Sequence, residues 1–488
     1  MKKKLAAPES ADRHAGMRTA SEASRRNFIK QAGVGGLSLA SLTNGRIEDQ
    51  VAFASQNVSR FSRPTDLEIT DLRVCSVLRT PIIRIYTNQG LIGHGDVRDI
   101  GDSRYALTLK SRILGENPCN VERLLRLVKQ FGHHGRQGGG VSGVEMALWD
   151  LAGKAYGVPV YQMLGGKYRD RVRMYCDTTS SRDPHEFARR LKARVDGGYT
   201  ALKMDVGIGL ISDDPGALVN SDFWEGQPGG LSGWNRIFGS YSNTDHPFTR
   251  VQITEAGVER MMEYFAVMRE SIGYDFPIGV DHLGHFDQNE AIKLVRAMEP
   301  YAMAYAEDLI PWQYTEQWRT ITEATTTPTM TGEDIFALEG FKALIDAKAV
   351  NVVHPDPVGA GGLLETKRIG DYAENAGIAM MLHHASSPVS MVAAVHAAAA
   401  TQNFMWLEHH FVDLDWYEDL VTGIDKPIVQ NGYINVPEKP GIGIELNEEA
   451  VREHMDSTEP RQGVVHGTGF FEPTPEWDEI RSWDRLWS

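Results

Sequence analysis

Between Lys203 and Glu408, short apolar runs each end on an ionisable residue. Ile278-Gly279-Val280 leads into Asp281, Met303 to Ala306 into Glu307, and Thr329 to Gly332 into Glu333. Val350 to Val353 precedes His354-Pro355-Asp356, Ile378 to Leu382 precedes His383, and Phe404 to Leu407 precedes Glu408. From Asp281 through Glu307, Glu333, Asp356 and His383 to Glu408 the steps are 26, 26, 23, 27 and 25 residues. A parallel strand, its crossover helix and two short loops need roughly 25 residues. Repeated without hairpin signals, the pattern predicts an α/β fold, a (β/α)8 barrel. Val172–Cys176 and Ala201–Met204 are the expected first and second strands.

Before the barrel the period changes. Leu67–Thr70 and Ile82–Tyr86 alternate, and Asn88-Gln89-Gly90 turns into Leu91–Asp96, which predicts an antiparallel meander. Helical spacing follows over Val121–Val128 and again from Val141 to about Tyr156, with a Gly-rich loop, Gly132–Gly140, between them. Residues 65–170 are therefore a small α+β domain, and 171–430 the barrel. Asp205 and Asp281 lie 76 positions apart, where one unit needs about 25. The excess, residues 207–250, is rich in Gly, Asp and aromatics and is expected to form a lid or an oligomer contact. Residues 431–488 have scattered aromatics and no strong period.

Barrel sites lie where the strands end, so these acids and bases share one mouth. Asp281, Glu307 and Glu333 on three adjacent strands would repel one another unless a cation lay between them. Three hard oxygen donors suit Mg2+, with Mn2+ as the alternative.

A formal net charge of -15 over 488 residues argues against a nucleic-acid partner. Cys75, Cys119 and Cys176 show no metal-binding spacing and no disulfide framework. No apolar run approaches the length that spans a bilayer. Residues 1–54 are read as an export leader. Ser24-Arg25-Arg26-Asn27-Phe28 precedes a mild apolar segment, Ala32–Leu42, and Ala52-Phe53-Ala54 offers a cleavage site, as in twin-arginine signals. Periplasmic residence is the expectation, with a basic tail on a cytoplasmic protein as the alternative.

Ser142-Gly143-Val144-Glu145-Met146-Ala147-Leu148-Trp149-Asp150-Leu151-Ala152-Gly153-Lys154, continued by Gly157–Gly166, resembles the enolase superfamily, in its mandelate racemase and acid-sugar dehydratase branch. The resemblance runs over about residues 67–450 and implies a capping domain on a modified barrel, with residues 431–488 returning to the capping domain. It implies that Asp281, Glu307 and Glu333 hold Mg2+, in agreement with the spacing. It also implies an enediolate formed next to a substrate carboxylate, and commonly a homo-oligomer. The substrate is then a small carboxylate.

His383 is the expected base, with Asp356 one strand back fixing its tautomer. His384, adjacent and on the other side of an extended chain, is the less favoured choice. Glu408 is expected to carry a proton and hydrogen-bond the enediolate, hence to have a raised pKa; the alternative is a solvated acid. Lys203 is expected to bind the substrate carboxylate, the alternative being an ion pair with Asp205. Relatives often carry a second lysine where this chain has Asp205, which argues against simple racemisation. Arg136 and His285 are further expected substrate contacts, with plain surface roles as their alternatives. Together these residues predict a dehydratase converting an aldonate-like acid to a 2-keto-3-deoxy acid. An epimerase, racemase or cycloisomerase using the same enediolate, and a non-catalytic periplasmic binder, are the alternatives.

Overall fold

The structure, a computed structural model, describes residues 66–219, 252–281, 287–457 and 469–473. The expected leader, most of the 207–250 insertion with its lid reading, and both His282 and His285 lie outside the described residues.

β1 (Ile69–Val77), β2 (Thr80–Thr87) and β3 (Ile92–Asp96) form an antiparallel sheet in sequence order. Alternate residues face one side, and there Val74, Ile83 and Ile85 pack with Leu124, Val128, Val144 and Leu148. Those partners come from α1 (Val121–Phe131) and α2 (Gly140–Tyr156). Of the 17 residues of α2, 14 are buried, because it lies between this sheet and the barrel. The expected loop between the two helices contains a four-residue helical turn, His134–Gln137.

Eight parallel strands close the barrel: β4 (Arg171–Cys176), β5 (Leu202–Asp205), β6 (Ile278–Asp281), β7 (Ala306–Glu307), β8 (Thr329–Thr331), β9 (Val352–Val353), β10 (Ala379–Leu382) and β11 (Phe404–His409). They neighbour one another in chain order, and β11 pairs with β4 in parallel register, Glu408 opposite Tyr175. Long helices follow the first seven strands: α3 (Pro184–Asp196), α4 (Glu255–Ile272), α5 (Gln288–Met298), α6 (Thr315–Glu323), α7 (Ala337–Asp346), α8 (Leu363–Asn375) and α9 (Pro388–Ala400). After β11 comes a 3-10 turn, Tyr417–Leu420, which is the barrel's modification. Several helices start on side-chain caps, since their first N–H groups lack partners in the helix. Asp183, Thr254, Asp287 and Ser387 each accept from a backbone N–H of the first turn. Tyr175, Tyr305, Met330, Met381 and Trp406 fill the barrel's interior.

The chain after the barrel doubles back. β12 (Tyr433–Asn435) pairs antiparallel with β4. Farther on, Asp456 accepts from Ser76 Oγ and Arg79 N, both at 2.7 Å, on the meander.

The Ser142–Lys154 motif joins the two domains. Ser142 Oγ accepts from Gly361 N at 2.9 Å, and Glu145 accepts from Leu363 N at 2.7 Å and Leu364 N at 3.0 Å. A carboxylate at the amino end of α8 satisfies two of its orphan donors and complements its dipole. Gly362 must be glycine for this contact: φ is +96°, and a Cβ would fall 1.9 Å from Glu145 Oε2. The Gly-rich Gly359–Gly362 segment is thus a tight turn before a helix, as its sequence suggested.

Candidate active site

The strand ends bring Lys203, Asp281, Glu307, Glu333, Asp356, His383 and Glu408 to one mouth of the barrel. Asp281 closes β6, Glu307 closes β7, and Glu333 follows β8 by two residues. Gly332 makes the bend after β8 at φ +149°, where a Cβ would meet His354 N at 2.9 Å.

Glu307 is central among the carboxylates. Its ligating atoms lie within 4.8 Å of those of Glu333 and His354 in one group, and of Asp281 and Asp308 in another. Burial, then the charge of Asp281, push the Glu307 carboxyl well above its usual range. Glu333 is raised as well, by burial first. Buried anions that disfavour one another's ionisation form a set a divalent cation would complete. Glu307 Oε2 is moreover buried without a hydrogen-bond partner among the described residues. Asp281, Glu307 and Glu333 offer only hard oxygen donors, which fit Mg2+ or Mn2+.

His354 was visible in the sequence only as the residue before Pro355. It is fully buried, with Nδ1 on Glu307 Oε1 and Nε2 2.8 Å from the Tyr175 hydroxyl. Burial drives its pKa down to about 3, so the ring is neutral. Nδ1–H therefore donates to Glu307, while Nε2 accepts from Tyr175. Arg98, on the loop after β3, was also missed. Its guanidinium donates to Asp334 Oδ1 at 2.6 Å and to the Glu333 carbonyl at 3.2 Å, so the capping domain reaches the β8 end.

His383 Nδ1 lies 3.0 Å from Asp356 Oδ2, and its Nε2 lies 3.4 Å from Glu333 Oε2. Burial disfavours its charge, but Glu333, Glu408 and Asp356 prevail and raise its pKa to about 10. A cation on Glu333 would remove much of that pull and leave Nε2 more available as a base. His384 faces away: its Nε2 lies 3.0 Å from Ser390 Oγ, and burial lowers its pKa to about 4.

Lys203 Nζ donates to Asp281 Oδ2 at 2.9 Å and lies 2.7 Å from Glu408 Oε1. Two anions thus flank a fully buried ammonium. Glu408 departs from expectation. Burial raises its pKa, but Lys203, His410 and His383 outweigh this and hold the carboxyl well below its usual range. The sequence suggested crowding by acids alone; the added cations reverse the sign. Asp205, buried and near Asp177, is pushed well up, by burial first.

Arg136 is not brought to the cluster. It lines a groove with Glu122, Lys129, Glu339 and Arg368, and its guanidinium lies 6.0 Å from the Phe336 ring centre. A cavity of about 160 Å³ lined by Asp308, Trp312, Gln313 and Asp334 opens at Asp308, one of the carboxylates grouped with Glu307.

Residues 186–450 match the family described as Enolase C-terminal domain-like, and residues 50–165 the Mandelate racemase / muconate lactonizing enzyme, N-terminal domain. The chain is 33% identical over 402 residues to a D-xylonate dehydratase from Haloferax volcanii, covering 80% of this chain and 89% of that protein. It is 27% identical over 409 residues to a D-mannonate dehydratase from Novosphingobium aromaticivorans, covering 78% and 94%. Among solved structures, a mandelate racemase/muconate lactonizing enzyme-like protein from Rubrobacter xylanophilus superposes with a TM-score of 0.70 at 30% identity, covering 83% of this chain and all of that one.

Proposed function

This chain belongs to the mandelate racemase/muconate lactonizing enzyme family of the enolase superfamily, and on that footing we propose that it is a divalent-metal-dependent dehydratase of an aldonate-like sugar acid. The observation that carries this reading is His383, paired with Asp356 and aimed by its Nε2 at Glu333, 3.4 Å away. A base so oriented beside a cation site fits removal of a proton next to a carboxylate.

The α-proton of a carboxylate is weakly acidic, because its loss adds a second negative charge to the substrate. Mg2+ held by Asp281, Glu307 and Glu333 would offset that charge where it develops. Asp356 accepts from His383 Nδ1–H and so presents Nε2 for the proton at C2. Lys203 holds Asp281 and Glu408 in place and adds a fixed positive charge beside the reacting carbon. Loss of the 3-hydroxyl then gives an enol that tautomerises to a 2-keto-3-deoxy acid. The relatives named as dehydratases of xylonate and mannonate support this substrate class.

The test is formation of a 2-keto-3-deoxy acid from a panel of sugar acids with Mg2+, lost in His383→Asn. Epimerised acid in place of keto acid would favour the isomerase alternative. Ligand-dependent stabilisation with neither product would favour the binding protein.

A further inference from the structure

Beyond His383–Asp356, the barrel mouth holds a second imidazole–carboxylate pair. His410 directly follows β11, and Asp177 directly follows β4, its neighbour in the closed barrel. His410 Nδ1 lies 3.3 Å from Asp177 Oδ2, and Nε2 lies 3.1 Å from Glu408 Oε1. Carboxylate oxygens accept and do not donate, so a carboxylate at each nitrogen favours the imidazole that carries a proton on both. Asp177 and Glu408 raise its pKa against burial, in the same direction.

His410 is placed to act with His383. The two ring centres are 5.7 Å apart at 66°, and the Nε2 atoms both face Glu408, that of His383 from 3.8 Å. His410 is also the open member of the group. Its side chain is 26% exposed, against 6% for His383 and none for Glu408. The partners of the two rings differ as well. His383 Nε2 faces Glu333, a carboxylate a cation would occupy, whereas His410 faces two carboxylates outside the proposed metal set. His383 thus sits against the proposed cation site, and His410 against Asp177 and Glu408.

Resting on the dehydratase reading, we infer that His410, oriented by Asp177, is a second catalytic residue of this site: the general acid that protonates the departing 3-hydroxyl. His383 Nε2 takes the C2 proton and leaves the electron pair of that bond in the enediolate; the pair then forms the C2–C3 double bond as the C3–O bond breaks. The oxygen leaves with its bonding pair, takes the Nε2 proton of His410, and departs as water. His383 has then gained one proton and His410 has lost one. Tautomerisation of the enol releases its O–H proton and places one on C3, which restores both rings.

The experiment compares wild type, His410→Asn and His383→Asn, all with Mg2+. It uses a sugar acid that wild type dehydrates and the analogue bearing fluorine at C3. Fluoride leaves with little need of a proton, so its release bypasses a general acid. His410→Asn is expected to lose about 100- to 10,000-fold in water elimination. Its fluoride release should fall no more than a few-fold, and it should still exchange the C2 proton in D2O. That exchange also reports that the variant is folded. His383→Asn should lose all three activities. Equal losses of water and fluoride elimination in His410→Asn would make His410 structural and overturn the inference, as would an unchanged rate of dehydration. Wild type that exchanges the C2 proton but eliminates neither group from any acid would remove the dehydratase reading, and this inference with it.

Discussion

Glu145 Oε2 accepts the backbone N–H of Leu363 at 2.7 Å, so a helix of the capping domain caps a helix of the barrel. Trp149 Nε1 donates to the other oxygen of the same carboxylate at 2.6 Å. Glu145→Ala would strand buried donors on both sides of the boundary. A loss of about 3 kcal/mol in unfolding free energy is expected from chemical denaturation, since each unpaired buried group costs about 1–3 kcal/mol. Gly362→Ala should be at least as damaging, through the clash with this same carboxylate.

The domain boundary also predicts a pH dependence. Burial outweighs the donors around Glu145 and pushes its pKa up to about 7; it does the same at Asp96, to about 6. Asp96 there accepts from Ser387 Oγ at 2.7 Å and Ser390 Oγ at 2.6 Å. Both folded values lie above the unfolded ones, so the folded state binds these protons more tightly. Their stabilising contribution is complete below about pH 4 and is lost as pH rises through about 6 and 7. The melting temperature should therefore fall between pH 5 and pH 8, and Glu145→Gln should flatten part of that slope. A melting temperature that rises across this range would contradict the assignment.

At the cation site, Glu307→Gln removes the central carboxylate. Mg2+ affinity by titration calorimetry should fall by more than the roughly 10- to 100-fold typical of losing a group behind a ligand. His354→Phe removes such a group, the Nδ1–H on Glu307, and should lie within that range. Equal affinity in wild type and Glu307→Gln would place the cation elsewhere.

The expectation of export rests on Arg25-Arg26 and is checked in a bacterial host. Replacing both with lysine should retain the full-length protein in the cytoplasmic fraction, while the unaltered chain reaches the periplasm. Equal cytoplasmic retention of both would leave the basic tail as the reading.

The strand ends were legible because a barrel repeats its architecture along the chain. An apolar run buried on both faces, followed by one polar residue, marks a β-to-α turn wherever it occurs. That pattern places Asp281, Glu307, Glu333, Asp356, His383 and Glu408 at or just beyond strand ends. It could not assign partners across strands. From the sequence, Lys203 is expected to bind the substrate carboxylate, with Asp205 as its alternative partner; in the barrel it meets Asp281 and Glu408, from the third and eighth strands. The same limitation hid His410, since Asp177 lies at the opposite end of the barrel sequence and meets it only when β11 closes on β4. The expected direction of the Glu408 shift failed for this reason too. Arg136 sits in a loop that contains a helical turn, and it lines the groove between α1 and α7.

The most direct measurement follows the C2 proton. Purified protein with Mg2+ and a sugar acid is incubated in D2O, and the C2–H resonance is read by proton NMR beside His383→Asn. If His383 is the base, the wild-type signal disappears as 3-deoxy resonances grow, and the variant slows this about 1,000-fold while binding Mg2+ as before. A C2–H signal lost at the same rate in His383→Asn would show that another group takes the proton, and would contradict the central assignment.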